Sequence, residues 1–164
     1  MAGLVEFESI VGRIDYPMFI VTTVAGDERS GCLVGFAAQG SINPPRFIVG
    51  ISDKNRTCRV LSGADSMAVH LVPDSGEAIA RLFGGETGDE VDKFERCSWR
   101  EGPEGLPLLD DCPSWFAGRI LERVRLGDHI GHLIEPFAAD DPPDAPRDWF
   151  PFSRAKEIDP GHEA

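Results

Sequence analysis

Strand-length apolar runs that recur at hairpin spacing constrain the fold of this chain more than any other feature. Residues 19–24, FIVTTV, are apolar and β-branched, and a polar turn at 26–31, GDERSG, leads into a second run at 32–36. The two runs read as a hairpin. A double proline, Pro44-Pro45, then opens a third strand over 46–52, and further strands are predicted at 67–72, 114–126 and 128–138. In the 114–126 segment Trp115, Ala117, Arg119, Leu121 and Arg123 alternate with Phe116, Gly118, Ile120 and Glu122, so the two sets face opposite ways. Short connections favour antiparallel pairing. Strands of this kind bent around one core predict a mainly β fold, a closed or nearly closed antiparallel barrel with a few short helices.

The helices are minor. A weakly patterned N-terminal segment carries Phe7, Ile10, Val11 and Ile14 at helical spacing. Asn55 is a candidate N-cap for a short helix through Leu61, stopped by Gly63. A clearer helix opens at Asp74 or Ser75, shows Ile79, Leu82 and Phe83 on one face, and ends at Gly84-Gly85. Residues 86–112 read as irregular, broken by Gly102, Pro103, Gly105 and Pro107. The chain of 164 residues is expected to be one domain, 1–164, with the barrel core at about 12–137 and a Pro- and Asp-rich surface tail over 138–164.

Charge and cysteine usage remove several functions. With 28 acidic against 16 basic residues the net charge is −12, and no Lys/Arg cluster forms the cationic face that nucleic acid requires. No apolar stretch approaches the roughly 20 residues of a membrane span. The N-terminal segment carries acids where a signal peptide would carry lysine or arginine, so the expected location is the cytoplasm. Cys32, Cys58, Cys97 and Cys112 are scattered without a CxxC pair, which favours free thiols over disulfides or a zinc site.

One strand is oddly built. Gly35, Ala37, Ala38 and Gly40 leave little side chain where a strand should pack. Either another backbone approaches closely there, or a flat ligand does.

The order and spacing of TT, SGCLVGF, SINPPRF, N-x-T, ARLFGG, VDKF, GLPLL and GDH resemble the flavin reductase-like family over about residues 12–137. The resemblance implies an FMN-binding split β-barrel, usually a homodimer, that passes hydride from NAD(P)H to flavin. FMN is the expected cofactor, with FAD as the alternative, and a monooxygenase is the expected partner enzyme; nucleic acid and membrane are not partners. In the family the segment before the double proline passes under the flavin, which maps cofactor contacts onto Gly35, Phe36, Ala38, Gln39 and Ser41. Many relatives carry a Ser-Ser pair where this chain has Gly35-Phe36, so hydroxyl contacts are missing there and holding must come from backbone amides or from residues elsewhere.

Lys54, Asn55, Arg56 and Thr57 form the second phosphate element that the resemblance implies, at a helix start where free N–H groups favour an anion. On the residues alone, Asn55 caps a helix and the cations are solvated. His129, in GDH, is the catalytic candidate, placed by the family near the flavin ring where an imidazole can hydrogen-bond ring or substrate. Phe94, in DKF, either borders the cofactor's dimethylbenzene side or plugs the core. His129, His132 and Glu135 fall on alternate strand faces and are not expected to share a metal. His70 reads as packed or at a dimer interface, and His162 carries no reading. Trp99, Trp115 and Trp149 line either core or pocket. The absence of a Ser-His-Asp or Cys-His signature suits hydride transfer, which needs positioning rather than a nucleophile. Three other readings stay open: a deazaflavin-dependent split-barrel oxidoreductase, a non-catalytic flavin-binding or electron-transfer protein, and a non-flavin structural barrel.

Overall fold

The computed structural model describes residues 3–161, so His162 lies outside the described residues. After a short helix α1 (Leu4–Val11), strands β1 (Phe19–Ala25), β2 (Glu28–Val34), β3 (Ala37–Ser41) and β4 (Arg46–Ser52) follow in close succession. Helix α2 (Arg56–Leu61), strand β5 (Ser66–Leu71) and helix α3 (Glu77–Gly85) come next. A small hairpin of β6 (Trp99–Glu101) and β7 (Pro107–Leu109) precedes the two long strands β8 (Trp115–Arg125) and β9 (His129–Asp140), and α4 (Phe152–Ala155) closes the order. The main sheet runs β2-β1-β5-β8-β9-β4-β3 with every pairing antiparallel.

The sheet is rolled, because side chains from its two ends meet in one core. Cys32 and Val34 of β2 pack with Val49 and Ile51 of β4, around Val21, Met67, Val69 and Ile134, and Leu61 of α2 joins the same cluster. Strand β8 bends at bulges between Ala117 and Gly118 and between Ile120 and Glu122. A Cβ at Gly118 would lie 2.7 Å from Ile134 Cδ1, so only glycine lets β9 close over β8 there. A second apolar layer covers the outside of β1: Ile20 packs with Ile79 and Phe83 of α3, Phe94, Leu109 and Phe150. Strand β1 is therefore buried on both faces, which explains its run of apolar and β-branched residues.

Several boundaries differ from the sequence reading. The first hairpin turns on Gly26 (φ 59) and Asp27 alone, because Glu28 to Gly31 already pair with Ala25 to Thr22. The N-cap of α3 is Gly76, with no side-chain cap, rather than Asp74 or Ser75. The segment expected to be irregular contains the β6–β7 hairpin, three residue pairs long and too short for a periodicity signal.

The tail is not confined to the surface. Strand β9 continues to Asp140, and Phe150 is fully buried in the outer core. Met18 N donates to Phe150 O and Phe150 N donates to Val72 O, both at 2.9 Å, so the tail is stitched between two strands. Prolines and aspartates predict a loop correctly here but do not show a lone apolar anchor. No helix among the described residues is long and apolar enough to cross a membrane.

Candidate functional site

The site is built where β2 ends and the chain crosses to the far edge of the sheet. Gly35 and Phe36 make the crossing, and β3 starts at Ala37 opposite Val49. Gly50 of β4 donates its N–H to Phe36 O at 2.7 Å, and a Cβ on Gly50 would come 3.3 Å from Phe36 Cβ. The glycine inside β4 thus lets Phe36 lie over the strand. The Phe36 ring is 60% exposed, an unusual position for a large apolar group, and its centroid lies 5.0 Å from that of His129.

His129 stands at the first residue of β9, where it pairs with Ser52 at the last residue of β4. Its Nδ1 is 2.7 Å from Asp128 Oδ1, and this hydrogen bond holds the Asp128 carboxyl below its ordinary range. With Nδ1–H donating to the carboxylate, Nε2 is the ring nitrogen left for a ligand. Asn55 enters from the start of α2, its Oδ1 accepting from Thr57 N at 2.9 Å.

Gly35, Phe36, Asn55 and His129 line one cavity of about 310 Å³, together with Tyr16 and Phe152. A second concavity of about 420 Å³ shares Phe36, Gly50 and His129 with it and adds Ala38 and Leu126. Phe36 stands at the boundary of the two. Apolar walls beside amide, carboxylate and imidazole groups fit a flat, amphipathic ring such as a flavin.

The remaining sequence candidates are placed elsewhere. Gln39 and Ser41 lie farther along β3, where Gln39 Nε2 donates to Ser41 O at 3.2 Å. Lys54 sits in the exposed turn before α2, its backbone N–H donating to Ser52 Oγ at 3.4 Å. Arg56 points to the opposite side of α2, pairing with Glu28 at 3.5 Å and Asp89 at 3.8 Å. There it lines a separate polar cavity of about 300 Å³ with Lys93 and Phe94. Phe94 is buried, packed edge-on against Phe83 and Trp99. Beside it Lys93 Nζ donates to Gly31 O and Phe83 O, both at 3.0 Å, and burial lowers its pKa.

Thr57 is turned inward. Its hydroxyl lies 2.8 Å from Ser30 Oγ, and both residues are buried. Thr57→Val is therefore expected to reduce stability by about 1–3 kcal/mol, by leaving the Ser30 hydroxyl without its partner. Urea unfolding of the flavin-free variant measures this.

His132 is buried with Nδ1 3.4 Å from Val49 O, and Glu135 pairs with Arg46 at 3.0 Å, so each has a partner different from that of His129. Trp99 Nε1 donates to Phe94 O, Trp115 packs with Leu106 and Ala117, and Trp149 is exposed.

The small residues of the crossing have more than one cause. A Cβ at Gly35 would meet Tyr16 Cε2 at 3.0 Å and Met18 Sδ at 3.3 Å, whereas at Gly40 the nearest atom is Arg46 O at 3.9 Å. Sequence reasoning missed Tyr16, Gly50, Asp128 and Phe152. Gly50 interrupts an apolar strand, a signal that was available. Tyr16 and Phe152 carry none, because only the fold brings the two ends of the chain together.

The chain is similar to several known proteins. The 4-hydroxyphenylacetate 3-monooxygenase reductase component of Salmonella typhimurium is 25% identical over 130 residues, 79% of this chain and 76% of that one. The FMN reductase (NADH) RutF of Klebsiella pneumoniae is 26% identical over 129 residues, 79% of this chain and 78% of that one. The structure of the Streptomyces globisporus C-1027 NADH:FAD oxidoreductase SgcE6 superimposes with a TM-score of 0.77 at 25% identity, covering 85% of this chain and 83% of that one. The family model described as the flavin reductase like domain matches residues 11–148, and the chain belongs to that family.

Proposed function

We propose that this chain is a flavin reductase: a cytoplasmic, homodimeric enzyme that uses NAD(P)H to reduce FMN, with FAD as an alternative, and hands reduced flavin to a monooxygenase. The observation that carries the reading is the cavity in which the Gly35-Phe36 crossing, the Asn55-capped helix start and the Asp128–His129 pair converge. A bound flavin supplies a ring that accepts hydride. The protein's part is to hold two flat rings in register and exclude water, which calls for walls and hydrogen bonds rather than a nucleophile.

Phe36 and His129 form the aromatic wall, with Gly50 underneath to seat Phe36. Asp128 fixes the orientation of the imidazole, and Asn55 presents its amide at the cavity edge while capping α2. The homodimer is supported by apolar surface that one chain leaves uncovered. Val5, Phe7 and Ile10 of α1 are 74%, 60% and 53% exposed, and Ile42 beside β3 is 83% exposed.

Titration of the purified protein with FMN and with FAD, followed by NADH or NADPH, tests the reading. It predicts saturable flavin binding, nicotinamide oxidation that depends on added flavin, and a sedimentation mass of two chains. Flavin binding without nicotinamide oxidation would leave a carrier rather than a reductase.

A further inference from the structure

We infer that the hydroxyl of Tyr16 is a ligand-binding group of the 310 Å³ cavity, held in place by Phe152 from a C-terminal segment beyond the family match. The inference rests on the flavin-reductase reading of that cavity and assigns it a contact that the sequence motifs do not contain.

Tyr16 is the chain's single tyrosine, and it precedes β1 as part of no regular element. Its side chain lies against Gly35: a Cβ there would be 3.0 Å from Tyr16 Cε2 and 3.4 Å from the hydroxyl oxygen. Gly35 is thus small because a phenol occupies the space beside it. Both residues line the cavity, so the hydroxyl sits at the crossing where the Gly35-Phe36 pair itself has no hydroxyl to offer. Among the described residues the Tyr16 hydroxyl has no hydrogen-bond partner in the protein. Burial, with the neighbouring Asp15 charge, raises its pKa, so the group stays protonated and donates at neutral pH. A carbonyl or ring-nitrogen edge of a flat heteroaromatic ligand is the acceptor that such a donor fits.

The side chain is held by residues past position 148, where the family match ends. Phe152 stacks on the Tyr16 ring with centroids 4.7 Å apart and planes 12° from parallel, and Phe152 N donates to Tyr16 O at 2.8 Å. Asp15 accepts from Ser153 N at 2.9 Å and from Ser153 Oγ at 2.8 Å, while Lys156 Nζ donates to Gly12 O at 2.9 Å. Backbone, carboxylate and aromatic contacts together clasp residues 12–16 to 152–156. Tyr16 is the binding residue and Phe152 a positioning residue that acts through it.

The test uses the full chain and FMN. Tyr16→Phe keeps the stack and removes one hydroxyl, so the FMN dissociation constant should rise about 2- to 10-fold while the melting temperature of the flavin-free protein is unchanged. Phe152→Leu keeps apolar volume but loses the flat face, and it should weaken FMN by a similar factor. The double variant should bind as Tyr16→Phe does, because Phe152 has nothing left to position. The absorption bands of bound FMN should shift in Tyr16→Phe, which a purely structural role would not cause. Wild-type affinity in Tyr16→Phe would overturn the inference alone, and additive losses in the double variant would overturn the role of Phe152. A wild-type protein that binds neither FMN nor FAD would overturn the flavin-reductase reading and this inference with it.

Discussion

Replacing His70 with Leu is expected to destabilise the fold by about 2–6 kcal/mol, because it removes the hydrogen bonds of one buried ring to two backbone groups, at about 1–3 kcal/mol each. His70 is fully buried on β5, with Nδ1 2.9 Å from Ile20 O on one side and Nε2 accepting from Leu109 N at 3.1 Å on the other. The ring therefore ties the barrel strand β1 to the outlying β7. One nitrogen must donate and the other accept, which only the neutral imidazole does. Burial accordingly pushes its pKa down from 6.5 to about 4.

That shift makes stability depend on pH. The unfolded chain takes up the proton near pH 6.5 and the folded chain only near pH 4, so between those values the unfolded state binds more protons. Stability from this group is complete above the unfolded pKa and is lost as pH falls through the window, by about 3 kcal/mol at about 1.4 kcal/mol per unit. Urea midpoints of wild type and His70→Leu at pH 7 and pH 4 measure the difference. The gap between the two proteins should narrow on acidification, and a constant gap would assign the His70 contribution to packing alone.

His129→Ala should lower kcat/KM for nicotinamide-dependent flavin reduction by about 10- to 150-fold, the equivalent of a hydrogen bond to a group that gains charge, about 1.5–3 kcal/mol. Reduction places negative charge on the flavin ring, so a fixed imidazole beside it contributes more to the transition state than to binding. Asp128→Asn should give a smaller loss, since it removes the charge that orients the ring but keeps a hydrogen-bonding side chain 2.7 Å away. His129 packs on Phe36 at the sheet end and is not part of the core clusters, so the flavin-free melting temperature should change little. Steady-state rates with FMN and NADH check this. An unchanged kcat/KM would remove His129 from the chemistry.

The barrel was legible because its signals are local. Strand β4 falls on Arg46–Ser52 as the apolar run between Pro45 and Asp53 predicts, and α2 carries the Asn55 cap and ends by Gly63. The errors share a cause, which is that pairing and burial are decided across the fold. The turn after β1 shrank because strand pairing claimed Glu28 to Gly31, and Phe150 was missed because one apolar residue among prolines and aspartates has no periodicity.

The site was half legible. Phe36, Asn55 and His129 converge on one cavity, since the motif order preserves which strand ends meet. Arg56, next to Asn55 in the chain, and Phe94, drawn from the VDKF motif, line a separate cavity. Asn55 caps α2 and Arg56 is its first residue, so the two neighbours point to different sides, and spacing along the chain does not reveal which of them looks at the cleft. Thr57 shows the same effect, with its hydroxyl directed to Ser30 inside the barrel.

Anaerobic mixing of the flavin-loaded protein with NADH, followed by loss of the flavin's visible absorbance, reads out whether the protein speeds hydride transfer to its flavin. Bleaching should be far faster than in a protein-free mixture of the same flavin and NADH, and slowed in His129→Ala. Bleaching no faster than the protein-free mixture, in a protein that has bound flavin, would contradict it.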